Sequence, residues 1–266
     1  MTPWVLRLII ANAVMYLASN VYPVLLSLLE FVPAWALVRP WTIVTYMFLH
    51  GSLSHIGFNM LALYFFGTRV EMRIGSRRFI QLYTVSGIGG ALLSLVFASY
   101  GSPYIPIIGA SGAVFGVSLA FAYFWPRDRI YIWGVLPIEA RWLVIVTGAV
   151  ALFGGFTGRF QPGVAHFAHL GGYVGGWLYL WWMQRRATAA RRSWQAKLSA
   201  PAGRVDPHRV ATIDLSRVHP VNRDEVNRIL DKISASGIGS LTNEERTFLS
   251  HFAGPDKPAT DTPQVQ

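Results

Sequence analysis

The chain predicts an all-α polytopic membrane protein: six transmembrane helices followed by a small C-terminal helical hairpin. Three observations carry this. Of its 266 residues 53% are hydrophobic and only 14% charged, where a soluble globular domain carries roughly 25% charged residues. The few charges cluster between long apolar runs, the pattern of helices that must each cross a hydrocarbon core. Ten Trp and eleven Tyr suit the membrane–water interface, where both accumulate.

The spans follow in order. Trp4–Leu29 is a largely apolar run with Arg7 near its start and Asn12, Asn20 and Pro23 within it. It is too long for the apolar core of a cleaved signal, and is expected to be an uncleaved first span at about 4–26. A wet or interfacial loop, about 30–50, holds Glu30, Pro33, Arg39 and Pro40. Spans two and three are expected at about 54–72 and 79–99. The Gly/Pro/Tyr-rich stretch Tyr100–Ile108 leads into span four, about 110–125, with span five at about 140–157 and span six at about 165–184. Span four is short for a ~30 Å core. A short helix that starts at depth would set Ser111 below the membrane surface, at the floor of a cavity.

Basic residues sort by side. Arg7, Arg69, Arg73, Arg77, Arg78, Arg127, Arg129, Arg141, Arg185, Arg186, Arg191 and Arg192 fall on one side of this arrangement. Arg39 and Arg159 fall on the other. The positive-inside rule then makes both termini cytoplasmic. The net charge of +10 is accounted for by this asymmetry and by attraction to anionic lipid. Nucleic acid is not an expected partner, because the basic residues flank spans and form no aromatic-studded basic domain. The absence of cysteine excludes disulfides, thiolate metal sites and a cysteine nucleophile.

Residues 1–186 therefore read as one membrane core, and 187–220 as a polar, basic linker. In 221–253, Val226, Ile229, Leu230 and Ile233 share one helical face. Gly237-Ile238-Gly239 breaks the pattern, and Thr242 with Glu245 forms a capping box for a second helix. Residues 254–266 are expected to be a disordered tail.

Polar groups at membrane depth are costly and usually line a functional cavity. Ser111 lies between Gly109 and Gly112 at the start of span four. A serine alcohol is a weak nucleophile that needs an adjacent base; flanking glycines let the backbone turn and a substrate approach. N–H groups at a helix start can hold a developing oxyanion. On the motif alone, small-residue packing is the competing account. His169 is the candidate base, with His166 as its rival three residues earlier. Gly172 and Gly176 allow another helix backbone, best span four, to come close enough for His169 to meet the serine. His55 and Asn59 share a face of span two at i, i+4. Both can donate hydrogen bonds, as an oxyanion hole requires. Asn in the second place argues against zinc, so no metal and no cofactor is implied. His50, at the loop end of the same span, is expected to stabilise the turn there. Glu71 is expected to pair with Arg73. No carboxylate is placed to orient His169, so a hydrolase here would use a Ser–His dyad.

Taken together the motifs are specific. Over 1–186 the chain resembles the rhomboid family of intramembrane serine proteases: His55 and Asn59 four apart in span two, Glu71-x-Arg73, Gly109-x-Ser111-Gly112, and Ala168-His169 followed by Gly172-x-x-x-Gly176. The resemblance implies a rhomboid-like six-helix bundle and a serine endopeptidase. Ser111 would be the nucleophile and His169 the base and acid. His55, Asn59 and the Ser111 N–H would form the oxyanion hole, with Phe115 packed on the histidine. It implies membrane-protein substrates, single-span or polytopic, taken from the lipid bilayer, and a bacterial inner (plasma) membrane. Trp41 is followed by Thr42 where the family often has arginine, which puts the order of the first loop in question. Two other readings compete. One is a catalytically silent adaptor or chaperone on the same fold. The other is a solute or proton pathway, which would call for acidic residues at depth.

Overall fold

The computed structural model describes residues 1–100, 102–132, 134–157, 163–199, 213, 215, 218–250 and 252. The chain divides into two compact units, Met1–Arg186 and Ala187–Gln266.

In the first unit, α1 (Pro3–Val21) starts with proline in its first turn, where no N–H partner is lost. Pro23 ends that run and α2 (Val24–Leu29) follows. The loop to about residue 50 is ordered by short helical turns, Pro33–Trp35, α3 (Thr42–Thr45) and Tyr46–Phe48. Arg39 helps to hold this loop. Its Nη1 donates to the Ser27 carbonyl at 2.8 Å, Trp41 Nε1 donates to Leu28 O at 3.0 Å, and Thr45 Oγ1 to Leu29 O at 2.8 Å. Three side chains thus tie the loop to the end of α2.

The stretch expected as span two is one continuous helical run: α4 (Leu53–Ala62), a π-helical turn (Leu63–Gly67) and α5 (Thr68–Ile74). Ser52 caps it by accepting from the His55 N–H at 3.2 Å. Glu71 corrects an expectation. It makes no ion pair with Arg73 among the described residues. Its carboxylate accepts the Trp4 and Val5 N–H groups at 3.1 and 3.0 Å and the Ser76 hydroxyl at 2.6 Å. A negative charge at the amide-rich start of α1 is the favourable end of that helix dipole. Arg73 instead lies over the Phe124 ring, 5.7 Å from its centroid.

After α6 (Ser76–Val96), the strand-like bridge Phe31–Ile107 pins the loop ahead of α7 (Ser111–Phe124) to the first loop. Then comes a departure from the all-α expectation: β1 (Arg129–Ile132) and β2 (Leu136–Glu139) form an antiparallel hairpin with Arg129 opposite Glu139. Four-residue strands carry too short an alternation to stand out in the sequence. Next are α8 (Ala140–Thr157) and α9 (Gly163–Ser199). Arg159, assigned to an outer loop, lies outside the described residues. α9 continues through 187–199, where a linker was expected; its Ala, Arg, Gln and Lys residues are strong helix formers. By length and composition α1, α6 and α8 can each cross a membrane, and α7 is a shorter apolar helix. The protein is an integral membrane protein.

The second unit contains α10 (Pro220–Ser236) and α11 (Asn243–Ser250) around a core of Val226, Ile229, Leu241 and Leu249. Thr242 and Glu245 cap α11 reciprocally: Glu245 N–H donates to Thr242 Oγ1 at 3.2 Å and Thr242 N–H to Glu245 Oε2 at 2.8 Å. Arg228 and Lys232 both donate to the Glu245 carboxylate at about 3 Å.

Candidate active site

α7 begins at Ser111, so the serine stands in the first helical turn, where N–H groups lack a carbonyl one turn earlier. Gly109 sets the approach. Its φ of +121° lies in a region that side chains rarely adopt, and a Cβ there would stand 2.6 Å from His55 Nε2. The preceding loop is held by Gly109 N–H donating to Tyr46 O at 2.9 Å. His50 does more than serve the turn before Leu53. It is 2% exposed, and its Nε2 accepts the Ala110 N–H at 3.4 Å, so it lies under the serine loop. Its ring also meets the His55 ring edge-on, centroids 4.8 Å apart.

The other half comes from α9. Added carbons show how close the helices are: a Cβ on Gly172 would collide with the Gly112 carbonyl, and one on Gly176 would stand 2.9 Å from Gly116 Cα. Gly112 itself has room for a Cβ only at 3.1 Å from the Tyr46 hydroxyl and 3.2 Å from the Ala168 carbonyl. Backbone-to-backbone packing of this kind needs glycine on both helices. It places His169 Nε2 2.9 Å from Ser111 Oγ. Phe115, one turn after the serine, stacks on the His169 ring at 4.3 Å with planes 10° apart. Tyr173 leans on Phe115 at 5.0 Å, and its hydroxyl shares a 2.7 Å hydrogen bond with Thr147 of α8. Among the described residues no carboxylate hydrogen-bonds His169.

A cavity of about 590 Å³ opens on this pair, with Ser54, His55, Asn59, Ser111, Phe115 and His169 in its lining. His55 and Asn59 therefore face the same space as the serine. One Asn59 N–H donates to the His55 carbonyl at 3.0 Å, which fixes the amide and engages one of its two donor hydrogens. His166, the rival base, is buried under Gly154 of α8, its ring centroid 6.3 Å from that of His169. It is not in the cavity lining. The described residues contain no cluster of His, Cys, Asp or Glu able to hold a metal. Such an arrangement can carry nucleophilic acyl transfer: an alcohol on an imidazole, with donors converging beside it.

Sequence reasoning did not reach Tyr46, whose hydroxyl donates to Gly87 O at 2.7 Å beside Gly112, nor the placement of His50. Both act across 41 to 60 residues. The one available signal was a histidine five places before His55.

Comparison with known proteins agrees with this frame. The Rhomboid domain model matches residues 38–186, and a family of unknown function (DUF6576) matches 220–254. The chain is 35% identical over 165 residues to Rhomboid protein 1, mitochondrial, of Saccharomyces cerevisiae, covering 61% of this chain and 46% of that one. It is 36% identical over 136 residues to Rhomboid protease GluP of Bacillus subtilis, covering 51% and 24%. It is 33% identical over 130 residues to Rhomboid-type serine protease 2 of Emericella nidulans, covering 49% and 24%. The match spans less than half the length of each of these three relatives. The chain belongs to the rhomboid family.

Proposed function

We propose that this protein is an intramembrane serine endopeptidase working through a Ser111–His169 dyad. The observation that carries the reading is the 2.9 Å Ser111 Oγ···His169 Nε2 contact at the wall of a cavity that His55, Asn59 and two further serines also line. Two relatives named as proteases support it. With Nε2 unprotonated, His169 takes the hydroxyl proton as Oγ attacks the carbonyl carbon of a peptide bond. The resulting oxyanion faces the Ser111 N–H, His55 and Asn59. His169 then gives its proton to the departing amine, leaving an acyl-enzyme on Ser111. Water, drawn along the polar lining of Ser52 and Ser54, hydrolyses that ester with His169 again as base.

In this reading the helices make six spans, and the arginine asymmetry puts both termini in the cytoplasm. Substrates are membrane segments that unwind at small or helix-breaking residues and enter from the side. The bacterial inner (plasma) membrane is the location we assign.

The test is cleavage of a single-span protein in liposomes by wild type and by Ser111→Ala. Cleavage by the wild type alone supports the proposal. Cleavage by both makes Ser111 a packing residue. Cleavage by neither, over several test segments, favours a silent membrane adaptor or chaperone on the same fold.

A further inference from the structure

A second cavity, of about 750 Å³, lies beside the first and shares Phe58 and Ala62 with it. The two differ in kind. The first presents serine, histidine and asparagine. The second is walled along span two by Phe58, Leu61 and Phe65, faced by Tyr131 of β1, and carries Arg69 and Arg129. The four apolar side chains are each more than half exposed, an apolar surface that in an integral membrane protein meets lipid. From Phe58 to Arg69 the helix rises roughly 16 Å, so the trough is apolar at one end and cationic at the other. Asp128, adjacent to Arg129 in the chain, binds Arg69 at 2.6 Å and brings both arginines to that end.

The charges there do not balance. Asp128 is taken by Arg69. Glu139, opposite Arg129 across the hairpin, is bound by Arg141 at 2.7 Å. Arg129 makes no ion pair among the described residues, and Arg127, nearby in the chain, adds more positive charge. An apolar trough with the Arg129 guanidinium, unpaired among the described residues, at its end complements an amphiphile with an anionic head. Its volume lies within the range of ligand-binding clefts.

We propose that this groove is a binding site for an anionic phospholipid, with acyl chain along Phe58, Leu61 and Phe65 and phosphate on Arg129 beside Arg69. The site does not depend on Ser111 chemistry. It differs from the diffuse attraction of a basic protein surface in being localised to one guanidinium.

The experiment is native mass spectrometry of the full chain released from micelles holding equal phosphatidylglycerol and phosphatidylcholine. Wild type is expected to retain phosphatidylglycerol preferentially. Arg129→Gln, an exposed strand position, is expected to cut that preference about fivefold, as for loss of one basic residue near an anionic lipid surface. Arg191→Gln, a basic residue on the C-terminal half of α9, is expected to leave it unchanged. Equal retention of both lipids by wild type would overturn the proposal and leave the trough to an uncharged apolar segment. A preference that survives Arg129→Gln, or falls as much in Arg191→Gln, would overturn it in favour of general surface charge.

Discussion

Each of the two units of this chain has its own interior chemistry, and the two are opposite. In Met1–Arg186 the contact that builds the site is backbone on backbone, Gly112 and Gly116 of α7 against Gly172 and Gly176 of α9. Lipid is as apolar as leucine, so burying a large side chain between spans gains little, and close approach of small residues gains dispersion contact instead. In the C-terminal unit the core is Val226, Ile229, Leu241 and Leu249, covered by an ion network of Arg228, Lys232 and Glu245. Water drives that association. The same chemical change should therefore have different consequences in the two places.

The largest contrast is steric. Gly172→Leu is expected to abolish accumulation of folded membrane unit, because its Cβ would already overlap the Gly112 carbonyl. Even Gly172→Ala should cost about 1–3 kcal/mol, the usual penalty of overpacking. Gly239→Ala in the C-terminal unit meets nothing within 4 Å and should stay within about 0.5 kcal/mol. Thermal unfolding in detergent reads the first pair, and hydrogen exchange of the α11 amides reads the other. Similar losses at both positions would break the contrast.

Next in size are His55→Ala and Asn59→Ala, each expected to lower the rate of cleavage about a hundredfold or more with folding intact, as for loss of an oxyanion donor. An unchanged rate in either would remove that residue from the site. Phe115→Ala should lose about two- to tenfold, since stacking on the histidine is worth about 0.5–1.5 kcal/mol. Steady-state kinetics on one substrate would rank the three.

The smallest effects belong to the C-terminal unit. Thr242→Ala removes one half of a reciprocal cap, at about 1 kcal/mol. pH acts there too. Hydrogen bonds from Lys232, then from the Thr242 N–H and Arg228, hold the Glu245 carboxyl down at about 2, below its ordinary 4.5. A carboxyl lowered on folding contributes stability that is whole above pH 4.5 and fades as pH falls toward 2. Exchange protection of α11 should follow that course, and should depend less on pH in Glu245→Gln. Protection that is flat from pH 5 to 2 in the wild type would contradict it.

The sequence made the pieces of the site legible where chemistry and spacing are local. His55 and Asn59 share a helix face, Ser111 is bracketed by glycines, and His169 is followed by Gly172 and Gly176. It also showed the capping box. What stayed hidden acts across long separations: Glu71 on the α1 amides, His50 under Ala110, Tyr46 on Gly87. No periodicity records such contacts. The strands 129–132 and 136–139 were too short to register, and Arg39 could not be seen to anchor the first loop, because its acceptor is a backbone carbonyl. Any residue type offers the same carbonyl, so the acceptor leaves no mark in the sequence.

The central claim is that His169 makes Ser111 nucleophilic. The most direct measurement is covalent labelling by a fluorophosphonate, with the adduct mapped by mass spectrometry in the wild type, Ser111→Ala and His169→Ala. The account predicts one adduct, on Ser111, lost in both variants while the fold is retained. Labelling of Ser111 at an equal rate in His169→Ala, or none on Ser111 in the folded wild type, would contradict it.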